Sequence, residues 1–130
     1  MNSRKEKSME GELVHFDIPA DDLERASEFY RAIFGWKIEP VGGFEGYLEI
    51  KPGGREEATG GGITKRFMPE QRPVNYFEVS SIDEANRRVR DGGGQVIVEK
   101  MTVPGFGYLS LCADTEDNAF GMWLEDPGAA

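Results

Sequence analysis

The sequence predicts an α+β fold: two paired βαβββ modules forming a curved, incompletely closed mixed sheet, with the helices outside. Three observations carry that prediction. An alternating apolar segment near residue 15 runs directly into a capped amphipathic helix. Three short strand-like segments, separated by Gly- and Pro-containing turns, follow the helix. The whole order then repeats from residue 74 onward, and one such unit alone would leave a sheet face bare.

In Leu13-Val-His-Phe-Asp-Ile18, Val14, Phe16 and Ile18 share one face and Leu13, His15 and Asp17 the other. Asp21 is placed to cap the helix that follows, Asp22–Phe34, with Glu24 three residues on. Leu23, Ala26, Tyr30 and Ile33 fall at helical spacing, and Gly35 stands where a left-handed residue ends a helix. Strands are predicted at Trp36–Val41, Tyr47–Lys51 and Gly61–Arg66. In the second half Val74–Val79 is a strand, with Phe77 and Val79 taken as the counterparts of Phe16 and Ile18. Ser81 caps a helix over Ile82–Arg90, Glu84 completes a capping box, and Gly92-Gly-Gly94 stops it. Strands at Gln95–Glu99, Gly107–Ala113 and Ala119–Glu125 complete the set, the last two joined by the polar turn Asp114–Asn118. Phe16, Phe29, Phe34 and Phe77 read as core side chains, and Cys112 as a small core residue.

The chain has 130 residues, enough to bury a core without disulfides. It reads as one domain over residues 11–126, with modules of about 11–67 and 72–126, behind a disordered tail at 1–10 in which Met9 is a second candidate start. The opening residues are polar and form no signal peptide, so the cytoplasm is the expected compartment. No apolar run approaches the roughly 20 residues of a membrane span. A formal charge of -9 repels a phosphate backbone, so neither nucleic acid nor a membrane is an expected partner. One cysteine excludes an internal disulfide, and one histidine excludes a two-histidine metal site within the chain. Gly105–Ser110 mimics part of a dinucleotide fingerprint but precedes a strand, the wrong context. The run Arg87–Arg90 reads as a solvated helix face.

The segment HFDIPADDLERASEFYRAIFGW, from His15 to Trp36, resembles the opening of the glyoxalase/bleomycin resistance/dioxygenase superfamily, also called vicinal oxygen chelate proteins. The segment VPGFGYLSLCADTEDNAFGMWLED, residues 103–126, resembles its usual ending. The likeness covers roughly residues 11–126 and is nearest to the small glyoxalase-related members. It implies one divalent metal held by four positions, on the first and last strand of each module. Those positions map to His15, Tyr76, Gly62 and Gly121, so a single imidazole stands where four donors are needed. No metal and no other cofactor is therefore expected. The resemblance also implies a homodimer whose sheet edges are completed by the second copy.

His15 and Glu78 are the candidate catalytic residues, an imidazole that titrates near neutrality and a carboxylate to work beside it. Asp17 and Glu78 are taken as matching positions of the two modules. Thr64, Arg66 and Trp123 share the alternation of Gly62 and Gly121, and Phe106 sits in a loop able to cover a cavity mouth; with Asp17 and Tyr76 they are the candidate ligand contacts. Three functions fit: a metal-free small-molecule-binding protein, a lyase, isomerase or epimerase acting on a small carbonyl or thioester compound, and an association module. Ring-cleaving dioxygenase chemistry is excluded, because its iron needs two histidines and a carboxylate.

Overall fold

The computed structural model describes residues 9–130, and the predicted tail lies mostly outside them. The residues group into two compact units, His15–Val74 and, with 9–14, Asn75–Ala130. Each is a βαβββ module, so the fold is α+β with mixed sheets, as the repeat predicts.

The first module comprises β1 (Leu13–Ala20), α1 (Leu23–Phe34), β2 (Lys37–Val41), β3 (Phe44–Lys51) and β4 (Gly61–Lys65), in sheet order β2-β3-β4-β1. β1 runs parallel to β4, and the other neighbours are antiparallel. Ile18, Ile38, Ile50 and Ile63 share the sheet face that α1 covers, joined by Leu23, Ala26 and Tyr30 from the helix. The N-cap is Asp22 rather than Asp21: its carboxylate accepts from Arg25 N–H at 3.0 Å. With two adjacent aspartates, the one facing a free amide of the first turn does the capping. Gly35 ends α1 in the left-handed region at φ 68°, its N–H on Arg31 O.

The second module comprises β5 (Val74–Glu78), α2 (Ile82–Asp91), β6 (Gln95–Val103), β7 (Gly107–Ala113) and β8 (Ala119–Glu125), in order β5-β8-β7-β6. Its core gathers Val79, Ile82, Ala85, Cys112 and Met122 between α2 and the sheet. Ser81 caps α2, accepting from Glu84 N–H at 3.1 Å, while the Glu84 carboxylate turns to Arg87 and Arg88. The arginine run is thus a solvated, ion-paired face. β6 outruns the predicted Gln95–Glu99, and two register shifts against β7 bend it. Buried Asn86 on α2 donates to the Glu99 carbonyl in that bent stretch at 2.8 Å and accepts from Ser110 Oγ at 2.6 Å. Ahead of β1, Gly11 N–H bonds Glu78 O, and Glu78 N–H bonds Glu12 O, each at 2.8 Å.

Two core assignments are overturned. Phe29 and Phe34 are 58% and 57% exposed. α1 turns Leu23, Ala26 and Tyr30 inward, and its remaining apolar residues fall outside that stripe.

Candidate functional site

On β1, Phe16 and Ile18 point toward α1, so His15 and Asp17 stand on the face that α1 does not cover. Strand pairing extends this face. Asp17 lies opposite Gly62 and Pro19 opposite Thr64; across β4, Glu49 lies opposite Gly62 and Tyr47 opposite Thr64. Three side chains meet there. His15 Nε2 lies 2.7 Å from Asp17 Oδ1, and Tyr47 OH lies 3.3 Å from the same nitrogen. An ionised carboxylate is acceptor-only, so Asp17 fixes the tautomer with the proton on Nε2 and the lone pair on Nδ1. Burial, then the negative charges of Asp17 and Glu49, push the Tyr47 phenol far above its ordinary value. Tyr47 is therefore a neutral hydroxyl at any physiological pH.

Tyr47 went unnoticed in the sequence, yet it organises the site. Gly62 is buried, and a Cβ built on it would fall closer than 3.0 Å to the Tyr47 ring and hydroxyl. The second module repeats the device. A Cβ on Gly121 would meet the Tyr76 ring within the same forbidden range. Gly62 and Gly121 are thus each covered by a tyrosine ring.

Strand register corrects the matching of the modules. Asp17 opposes Gly62, whereas Tyr76 opposes Gly121. The helix caps agree: Asp17 stands five residues before Asp22, and Tyr76 five before Ser81. Asp17 therefore corresponds to Tyr76, Ile18 to Phe77 and His15 to Val74. Asp17 and Glu78 do not match: the likeness of Phe16-Asp-Ile18 to Phe77-Glu-Val79 points to a register two residues away from the one that strand pairing sets. The four family positions then hold His15, Val74, Gly62 and Gly121. A lone imidazole beside Gly62 in the first module, and an alkyl side chain beside Gly121 in the second, each lack the donors a divalent ion needs. Among the described residues no cluster of three His, Cys, Asp or Glu side chains is placed to hold one.

The other candidates disperse. Thr64 shares the His15 face through its pairing with Tyr47. Arg66 does not, since β4 ends at Lys65 and the alternation stops there. Its guanidinium is held by Asp21 Oδ1 at 3.1 Å, Gln71 O at 2.7 Å and Pro19 O at 3.4 Å. Within the second module Trp123 pairs with Glu78 and lays its indole over Gly107. Phe106 is half exposed in the turn between β6 and β7, its backbone bonded to Val103 and Asp126.

Residues 12–48 match the family described as bleomycin resistance protein-like N-terminal. The chain is 30% identical over 129 residues to the anthracycline biosynthesis protein DnrV of Streptomyces peucetius, covering 87% of this chain and 46% of that protein. It is 26% identical over 123 residues to a glyoxylase-like domain-containing protein of Didymella fabae, covering 88% and 94%. Among solved structures, methylmalonyl-CoA epimerase from Mycobacterium tuberculosis shares the fold at a TM-score of 0.65 and 18% identity over 97% of both chains. The chain belongs to the glyoxalase/bleomycin resistance/dioxygenase superfamily. It spans about half the length of the first curated relatives it matches, 46%. No helix among the described residues is long and apolar enough to cross a membrane.

Proposed function

We propose that this protein binds an organic small molecule of planar aromatic character on the His15–Asp17–Tyr47 face, without a divalent metal. The observation that carries the reading is the tyrosine ring over Gly62, repeated over Gly121. Space that a ligating carboxylate would need is filled by an aromatic surface, and a neutral phenol stands beside an oriented imidazole. Such a face offers stacking area with a few placed polar groups, the usual makeup of a small-molecule site. The name of DnrV, an anthracycline biosynthesis protein, supports a flat polycyclic ligand. The test is a fluorescence titration with an anthracycline, in the presence and absence of a strong chelator. Binding should be indifferent to the chelator and weaken at least tenfold, about 1.4 kcal/mol, in His15→Ala. Binding that appears only on adding zinc or nickel overturns the reading.

The 2.7 Å His15–Asp17 contact favours a second reading, an isomerase or lyase in which His15 moves a proton. Its test is deuterium uptake from heavy water at the carbon next to the carbonyl of a small acyl thioester. Uptake abolished by His15→Ala supports catalysis, and uptake at the uncatalysed rate excludes it for that substrate class.

A further inference from the structure

The Tyr47 hydroxyl carries a proton for which the first module provides no acceptor. Among the described residues its one hydrogen-bond partner is His15 Nε2, at 3.3 Å. That nitrogen already holds a proton and donates it to Asp17 Oδ1 at 2.7 Å, so it offers the phenol no lone pair. The phenol oxygen can share the Nε2 proton, but its own proton has to point away from the imidazole. No hydrogen bond joins the hydroxyl to Asp17 or to Glu49. The donor is nevertheless a placed one. Its ring lies on bare backbone at Gly62, where even a Cβ would collide with it.

The surrounding charge selects among acceptors. Asp17 on β1 and Glu49 on β3 both lie opposite Gly62, one strand to either side of the residue that the ring covers. His15, as a neutral donor, leaves the Asp17 charge in place, and Lys51 comes no nearer to Glu49 than 3.9 Å. After burial, these two charges are what raise the phenol above its ordinary range. A carboxylate, sulfonate or phosphate brought to the hydroxyl meets the same repulsion, whereas a neutral oxygen does not. A ligand that covers the face also shuts water away from the hydroxyl. A plain arene then leaves a buried donor unmet, and a carbonyl oxygen at its edge meets it.

We propose that the Tyr47 hydroxyl donates to a neutral carbonyl oxygen at the edge of the ligand, so that the site takes aryl ketones and quinones in preference to plain arenes and to aryl carboxylates. The inference rests on the ligand reading above and narrows it to a chemical class, with Tyr47 as the residue that sets specificity. Equilibrium dialysis of the full chain against three probes of one tricyclic outline tests it: 9-fluorenone, fluorene and fluorene-9-carboxylate. Fluorenone should bind about fivefold more weakly to Tyr47→Phe than to the unaltered chain, the loss of one neutral hydrogen bond. Fluorene has no oxygen to meet the hydroxyl and should bind both proteins within about twofold, which also reports that the face is intact in the variant. The carboxylate should be the weakest of the three on the unaltered chain. The proposal fails if the fluorenone-to-fluorene ratio is the same in both proteins, or if the carboxylate binds more tightly than fluorenone. In either of those cases bound fluorene leaves the ligand reading standing. Binding of none of the three overturns the ligand reading and the carbonyl assignment together.

Discussion

Gly62→Ala puts the central packing claim to a quantitative test. The added methyl would sit closer than 3.0 Å to ring and hydroxyl atoms of Tyr47, so the ring must leave. Over-packing of a well-filled site costs about 1–3 kcal/mol. The hydroxyl contact to His15 is already long at 3.3 Å, and losing it adds at most about 1 kcal/mol. Replacing glycine also stiffens the unfolded chain, which returns about 0.4–1 kcal/mol. The net expectation is a loss of about 1–3 kcal/mol, read as a lower urea midpoint at unchanged slope. Removing the obstacle should remove the penalty: in a Tyr47→Ala background, Gly62→Ala should cost under about 0.5 kcal/mol, so the two changes should be strongly non-additive. A Gly62→Ala penalty that is the same with and without the ring would refute the reasoning, because the glycine would then be needed for its backbone alone.

Two further outcomes follow from the same geometry. Tyr47 should ionise well above the ordinary phenol range in an alkaline absorbance titration, and Tyr47→Phe should delete that late step. Because its folded pKa is raised, its contribution to stability is complete below about pH 10 and is lost as the pH rises from there. Asn86→Ala takes the side-chain donor from the Glu99 carbonyl and leaves the Ser110 hydroxyl only Cys112 Sγ, and should cost about 1–3 kcal/mol in denaturant unfolding.

Legibility in the sequence followed the range of the interaction. The β1 alternation, the Ser81 cap and the αL role of Gly35 each depend on residues within one or two turns, and each is found as read. The matching of the two modules was not local. Phe16-Asp-Ile and Phe77-Glu-Val align by eye, and only the pairing of Gly62 with Asp17 and of Gly121 with Tyr76 separates the two registers. Tyr47 lay beyond reach for a related reason. It arrives from β3 across β4, a neighbour known only once strand order is known, although its spacing from Glu49 puts both on one face. The α1 aromatics failed differently: a helix rich in apolar residues has more than one possible inward stripe, and packing alone decides which is buried.

The tyrosine–glycine pairs also argue that the two modules have parted in role. If one ancestral module carried the pair, both rings would come from the same strand. They do not: Tyr47 reaches Gly62 from β3, while Tyr76 stands on β5 directly opposite Gly121. Filling a vacated site is a packing requirement that any large side chain can meet, so two solutions are what independent filling produces. Their polar ends differ accordingly. Tyr47 places its hydroxyl 3.3 Å from His15 Nε2 beside Asp17, whereas the position of the second module matching His15 is Val74, an alkyl side chain. The chemistry should therefore reside in the first module. Tyr47→Phe should weaken ligand binding or proton transfer several-fold, while Tyr76→Phe, in a module with no imidazole at the matching position, should leave both within about twofold. Isothermal titration of the two variants under identical conditions decides it. Equal losses in both would mean that the second module's phenol takes part, and the division of roles argued from Val74 would be wrong.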